Sequence, residues 1–263
     1  MTRPPSSILV TGASSGIGAA LARVYAAPDT TLFLGGRDGS RLEAIADACR
    51  GAGACCIAET VDVTDREAMA DWVAGCDGTR TLDLVIANAG VSAGSGDAGE
   101  SADQVRHLFR VNVDGVFNTV LPAMQMMVNR GQGQIAVMSS LASFKGFPGA
   151  PAYCASKAAL RLWGEGQRIW LRHRGVRLSV ICPGFVDTPM SRDNPYTMPF
   201  LMDAGRAARL ISKGLERDRG RIAFPWQTFW LVQMLAVLPP AIVDRLLSRM
   251  PSKPAVPEDH RPG

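Results

Sequence analysis

Thr11-Gly12-Ala13-Ser14-Ser15-Gly16-Ile17-Gly18 follows the apolar run Ile8-Leu9-Val10 and leads into helical periodicity over 16–27. Read together, these residues make a strand, a tight turn and a helix start. Glycine is needed where the backbone turns sharply or must approach another group closely, and a helix N-terminus offers unpaired N–H groups at the positive end of a dipole. Gly12, Ser14, Ser15, Gly16, Ile17 and Gly18 are therefore candidates for an anion cradle. The glycine spacing is GxxxGxG, not GxGxxG, and any strand-to-helix turn favours glycine. Its place directly after the first strand is what points to a phosphate.

Outward from this loop, short apolar runs alternate with helical stretches. Strands are expected at 8–11, 31–35, 54–61, 82–87, 134–139, 177–181 and 221–224, and helices at 16–27, 40–50, 65–75, 101–130, 152–174 and 204–217. The strands are rich in aliphatic residues with little polar alternation, as in a sheet covered on both faces. This alternation predicts a Rossmann-like, doubly wound α/β fold with a parallel sheet of about seven strands. Nothing interrupts the pattern, so residues 1–263 are expected to form one dinucleotide-binding catalytic domain. Two segments stand apart. Residues 188–202 are rich in Pro and Met without helical period, and 224–243 carry no charge.

The composition is ordinary for a globular chain of 263 residues, with 47% hydrophobic and 20% charged residues. The net charge of +4 is scattered, apart from a locally basic stretch at 168–177, which gives no case for a nucleic-acid partner. The six cysteines form no CxxC pair and the three histidines are far apart, so neither a disulfide framework nor a metal centre is expected. No basic stretch, apolar segment and cleavage site precede Ile8, and the expected compartment is the cytoplasm.

The end of the second expected strand bears on which dinucleotide the loop would take. An acidic side chain there hydrogen-bonds the adenosine ribose of NAD. The chain has Leu34-Gly35-Gly36-Arg37-Asp38, with glycine at the acidic position and a guanidinium after it. Arg37 suits a 2′-phosphate, which a carboxylate would repel, and Ser14 and Ser15 add hydroxyl donors. The expectation is NADP(H), with NAD(H) held through Asp38 as the alternative.

Tyr153-Cys154-Ala155-Ser156-Lys157 opens another expected helix, and residues four apart share a helical face. Tyrosine is a poor base at neutral pH, but an ammonium beside it favours the phenolate. A lone YxxxK is common, so its company matters. Asn88-Ala89-Gly90, Asn112, Ser140 and Pro183-Gly184 accompany it in order along the chain. With these motifs the sequence resembles the short-chain dehydrogenase/reductase family over roughly 6–225.

That resemblance implies roles. Tyr153 would be the general acid/base, Lys157 would hold the nicotinamide ribose and depress the tyrosine pKa, and Ser140 would hydrogen-bond the substrate carbonyl. Ser139 is its rival by position. Asn112 would carry a water linking Lys157 to solvent. Asp62 and Val63 would contact adenine. Asn88, Ala89 and Gly90 would pass along the adenosine ribose, and Pro183, Gly184, Val186 and Thr188 would border the nicotinamide. The implied activity is hydride transfer between nicotinamide and a carbonyl/alcohol pair. A non-catalytic nucleotide sensor on the same fold is disfavoured because the whole set is present. An epimerase or dehydratase of the longer branch is disfavoured by the glycine spacing and the chain length.

The substrate loop is expected at 188–202, where Met190, Met198, Phe200, Leu201 and Met202 suggest a hydrophobic ketone, aldehyde or alcohol, with Arg192 and Asp193 nearby. The apolar extension 224–250 is too interrupted by Pro225, Pro239 and Pro240 to span a bilayer. It is expected either to pack on the core or a neighbouring subunit, or to touch a membrane surface. The resemblance also implies a homodimer or homotetramer through 101–130 and 152–174, where Trp163 and Trp170 share a face. Residues 251–263, rich in proline and charge, are expected to be a flexible tail.

Overall fold

The computed structural model describes residues 4–96, 99–192, 194 and 197–248. The expected tail and Asp193 lie outside them. The main sheet comprises β1 (Ser7–Thr11), β2 (Thr31–Gly36), β3 (Cys55–Thr60), β4 (Leu84–Ala87), β5 (Gly133–Met138), β6 (Val176–Pro183) and, after a small pair of strands, β9 (Arg221–Phe224). All seven are parallel, in the order β3-β2-β1-β4-β5-β6-β9. The chain runs outward from β1 in one direction and then returns to start β4 on its other side. The doubly wound sheet follows from right-handed crossovers.

Alternation along each strand divides the core in two. Ile8 and Val10 of β1, Leu32 and Leu34 of β2, and Leu84 and Ile86 of β4 point to one face. There they meet α1 (Gly16–Tyr25), α2 (Gly39–Gly51) and α8 (Ala204–Glu216). Leu9, Phe33, Val85 and Ala87 point to the other face, under α3 (Arg66–Thr79), α5 (Gly115–Arg130) and α6 (Pro151–Arg172). This period of two explains why the strand runs are apolar throughout: both sides of the sheet are covered.

The expected helix at 101–130 is α4 (Ala102–Phe109) followed by a π-helical segment, Arg110–Asp114, and then α5. Within that segment Asn112 is fully buried. Trp163 and Trp170 part company as well. Trp163 packs edge-on against Phe117 of α5 with ring centroids 5.0 Å apart, whereas Trp170 is exposed under the Arg174 guanidinium, 3.8 Å from its ring centroid.

The segment expected to lack regular structure contains one helical turn, α7 (Pro189–Arg192). It is framed by a two-strand pairing of β7 (Val186–Asp187) with β8 (Met202–Asp203). After β9 come α9 (Trp226–Val237) and α10 (Pro240–Leu247). Among the described residues no helix is long and apolar enough to cross a membrane.

Candidate active site

The C-terminal ends of β1, β2, β4, β5 and β6 open into one cleft of about 1270 Å³. Ligands of open α/β sheets bind where the strand order reverses, here between β1 and β4. Gly12 and Gly16 both take left-handed backbone, with φ of 65° and 55°. A Cβ on Gly12 would lie 2.8 Å from Ala89 Cα, and one on Gly16 would lie 3.0 Å from Thr188 Cγ2. The Ser15 side chain makes no cap hydrogen bond, so the first turn of α1 presents its N–H groups without a side-chain acceptor. Gly12, Ser14, Ser15, Gly16 and Ile17 line the cleft.

Gly18 is placed differently from the sequence expectation. It sits behind the loop, where a Cβ would overlap the Gly12 carbonyl oxygen and press on Asn88. The Asn88 side chain donates from Nδ2 to the Thr11 and Gly12 carbonyls at 3.0 and 3.2 Å, tying the ends of β1 and β4 together.

At one end of the cleft the two glycines closing β2 serve different ends. A Cβ on Gly35 would lie 2.5 Å from Trp72, so packing demands that glycine. A Cβ on Gly36 would meet Ser14 Oγ at 3.4 Å, an ordinary contact, so space alone does not bar a larger residue there. Arg37 is exposed at the cleft wall and, among the described residues, no hydrogen bond or ion pair engages it. Asp38 is committed elsewhere. Its Oδ1 accepts from Ser40 Oγ and Arg41 N, both at 2.9 Å, and its Oδ2 pairs with Arg41 Nε at 2.6 Å. Those hydrogen bonds, led by the Arg41 backbone N–H, hold the Asp38 pKa below its usual value. Asp62 and Val63 line the same wall. Burial would raise the Asp62 pKa, but bonds from the Thr64 backbone and hydroxyl, with Arg37 and Arg110 nearby, outweigh it and keep the group ionised.

The other end collects Ser140, Tyr153 and Lys157 on the cleft wall, with Asn88, Ala89, Gly90, Pro183, Gly184, Val186 and Thr188 around them. Tyr153 and Lys157 come from the first turns of α6, with Lys157 Nζ 5.9 Å from the tyrosine ring centroid. Lys157 is buried and donates to the Met138 carbonyl at 3.0 Å. Burial brings its pKa down to about 8. The Ser139 hydroxyl is spent on the Lys157 carbonyl at 2.8 Å. Ser140 Oγ is held loosely, accepting from Ala142 N at 3.1 Å and reaching the Pro183 carbonyl only at 3.5 Å.

Asn112 is not on the cleft wall. Its Oδ1 accepts from Val91 N at 2.8 Å, while Nδ2 donates to Val91 O at 3.0 Å and Ser156 Oγ at 3.1 Å. A Cβ on Gly90 would wedge between Asn112 Oδ1 at 3.0 Å and Lys157 Nζ at 3.2 Å. Glycine is what lets these two groups close over the end of β4.

The rest of the wall is mostly apolar. Pro189, Met190, Asn194, Thr197 and Pro199 come from the loop expected to bind substrate. Arg192 turns away and pairs with Asp187 at 2.9 Å. Sequence reading missed Arg41, Ser92, Phe147 and, above all, Thr228, Leu231, Val232 and Leu235 of α9. A signal for α9 was available. The chain leaving the last parallel strand emerges at the ligand-binding edge, and Gly184 N donates to Phe224 O at 2.7 Å there.

A doubly wound sheet with a glycine cradle and a buried Lys beside a Tyr at one cleft defines a nucleotide-binding enzyme fold. The short chain dehydrogenase family pattern matches residues 6–198. An uncharacterized oxidoreductase of Myxococcus xanthus is 37% identical over 243 residues, covering 92% of this chain and 96% of that protein. Among solved structures, a short-chain dehydrogenase/reductase from Burkholderia phymatum in complex with NAD has a TM-score of 0.79 at 25% identity, covering 95% of this chain and 98% of that one. A short-chain dehydrogenase from Sphingobium yanoikuyae in complex with NADPH has a TM-score of 0.78 at 24% identity, covering 95% and 97%, and speaks to the fold alone. The chain belongs to the short-chain dehydrogenase/reductase family and is an oxidoreductase acting on a CH–OH/C=O pair.

Proposed function

We propose that this chain is an NADP(H)-dependent oxidoreductase whose substrate is a hydrophobic ketone, aldehyde or secondary alcohol. The observation that carries the cofactor choice is the contrast between Arg37, which among the described residues makes no hydrogen bond or ion pair at the cleft wall, and Asp38, whose two oxygens are already engaged. A 2′-phosphate supplies what the guanidinium lacks, and a ribose hydroxyl would have to displace Arg41 from Asp38. The residues fit a dinucleotide along the whole cleft, from the uncapped first turn of α1 to the buried Lys157. A volume of about 1270 Å³ suits a dinucleotide together with a small substrate.

When bound, the nicotinamide supplies the carbon that gives or takes a hydride. The protein manages the proton. In reduction, the Tyr153 hydroxyl hands its proton to the substrate oxygen as the carbonyl carbon gains the hydride, and in oxidation it takes that proton back. Ser140, with its weak commitments, donates to the same oxygen. Lys157 favours the phenolate and orients the nicotinamide ribose. With its pKa near 8 it exchanges protons readily at neutral pH. The Asn112 side chain ties the π-helical turn to Val91 and to Ser156, beside Lys157.

The apolar wall of Leu141, Met190, Leu231, Val232 and Leu235 supports the substrate class. Leu162, Ile169 and Trp170 of α6 and Leu121 of α5 are exposed and suit the subunit face of a homodimer or homotetramer.

NADPH and NADH binding, followed by nicotinamide fluorescence, tests the cofactor reading. Arg37→Ala is expected to weaken NADPH by about 10- to 100-fold, the worth of a charge-assisted contact, and to leave NADH nearly unchanged. Equal losses for both cofactors would remove the role given to Arg37. A second expected result concerns Gly90. Gly90→Ala should lower kcat by about threefold to tenfold, because Asn112 Oδ1 at 3.0 Å and Lys157 Nζ at 3.2 Å from the added Cβ must each give by a few tenths of an ångström. Unchanged kcat in a folded Gly90→Ala protein would show that the two groups can yield around the methyl.

A further inference from the structure

α9 turns one edge into the cleft and the other to solvent. Thr228, Leu231, Val232 and Leu235 line the cleft, while Trp226 and Trp230 are 68% and 61% exposed and Met234 and Val237 60% and 83%. Phe229 anchors the helix edge-on against Phe144, with centroids 5.5 Å apart. α10 adds exposed Ile242 and Leu246. No ionisable residue occurs from Pro225 to Val243. A helix apolar all round is at home when covered, and a patch of this kind on a protein surface marks a contact.

Several observations select a lipid surface as what covers it. Trp226 and Trp230 are four residues apart and project on one side, and tryptophan is enriched at the headgroup level of bilayers. Twelve residues of helix, about 18 Å, are too short to cross but long enough to lie in the plane. Arg245 is exposed beside the patch next to the likewise exposed Asp244, and Arg249 and Lys253 follow in the sequence, a cationic excess over 244–253 that suits anionic headgroups. α5 and α6 present a separate set of exposed apolar residues, Leu121, Leu162, Ile169 and Trp170, for contact with another copy.

The mouth of the cleft adds a functional argument. Leu231 is 51% exposed and also part of the cleft wall, and the facing loop presents Met190, Phe200 and Leu201 outward. Among the described residues, Leu231 and Met190 give a lipophilic molecule apolar surface that is exposed and also part of the cleft wall, beside Asn194, Thr197 and Thr228. A second copy seated on α9 would cover Leu231 and this entrance, whereas a bilayer would feed it.

We propose that α9 and α10 dock the protein on an anionic lipid surface and admit a lipophilic ketone or alcohol from the bilayer past Leu231. The substrate half of this proposal rests on the oxidoreductase reading above, and the docking half does not.

The full chain is mixed with phosphatidylcholine/phosphatidylglycerol vesicles and floated, and turnover with NADPH is measured for a water-soluble cyclic ketone and for a long-chain ketone carried in the vesicles. The comparison is with Trp226→Gln/Trp230→Gln, at two exposed positions that do not line the cleft. Wild type is expected to float, and the double variant to lose about tenfold or more in vesicle partitioning. The double variant should lose vesicle-borne turnover to a similar degree and keep its rate on the soluble ketone. Wild type that stays unbound, or a variant that floats equally well, overturns the docking. If wild type ignores vesicles while the variant changes oligomeric mass by light scattering, α9 is a contact between copies and the proposal falls. Equal vesicle-borne turnover by a non-floating variant overturns bilayer delivery. If neither ketone is reduced by wild type, the oxidoreductase reading and the substrate half fail together, while flotation still decides the docking.

Discussion

Tyr153→Phe is expected to lower kcat by about 10²–10⁴-fold while leaving NADPH binding nearly unchanged, the range that positioned acid/base groups contribute. The substitution isolates one atom. The ring stays at the start of α6, half-buried on the cleft wall, and Lys157 keeps its place 5.9 Å from the ring centroid. Only the hydroxyl is lost, and with it the proton that the substrate oxygen must gain as its carbon is reduced. Ser140 can polarise that oxygen but, with an ordinary alcohol pKa, does not replace the phenol. The loss should therefore fall on kcat at saturating ketone, and NADPH titration should match wild type. A kcat within tenfold of wild type would mean that another group delivers the proton.

Much of this architecture is legible in the sequence because the sheet is buried on both faces. Ile8-Leu9-Val10 reads as a strand since both its sides meet covered core, and the same holds at Leu84–Ala87. The phosphate loop and YxxxK are local patterns, so their spacing alone reveals them. What was not legible depends on contacts far along the chain. The π-helical segment at Arg110–Asp114 accompanies the bonds of Asn112 to Val91 and to Ser156, and no periodicity in 101–130 announces these. Gly35 and Gly36 look alike in sequence, yet one makes room for Trp72 and the other faces Ser14. Gly18 belongs to the loop motif but packs behind it. β7 and β8 are two residues each, too short to leave a pattern. α9 is uncharged whether it faces core, cleft or solvent, so composition could not assign its two edges.

Lys157→Met is expected to stabilise the free protein at pH 7 while removing nearly all turnover. Lys157 is 4% exposed, and its Nζ has one hydrogen bond among the described residues, to the Met138 carbonyl at 3.0 Å. Burial disfavours the ammonium and takes its pKa from 10.5 to about 8, with Cys182 acting weakly in the other direction. That interval corresponds to about 3 kcal/mol. The sign follows from proton counting. Below pH 8 the lysine is protonated in both states, and the folded protein bears the full cost of the buried charge. Between pH 8 and 10.5 the unfolded chain binds more protons than the folded one, so wild-type stability rises with pH across that window. Methionine removes the charge and roughly keeps the volume, but it leaves the Met138 carbonyl without this donor, which costs about 1–2 kcal/mol. The net gain at pH 7 is then about 1–2 kcal/mol, a rise of a few degrees in Tm. Chemical denaturation of both proteins at pH 7 and pH 10 checks this, and the gap should narrow or reverse at the higher pH. A less stable Lys157→Met protein at pH 7 would show that the buried ammonium is not a net cost to the fold. NADPH should reverse the order, because the ribose hydroxyls give the ammonium the partners it lacks in the free protein, and ligand bound to the folded state adds to its stability. The same burial that destabilises the free fold thus places a charge where the nicotinamide ribose and the Tyr153 phenol can use it.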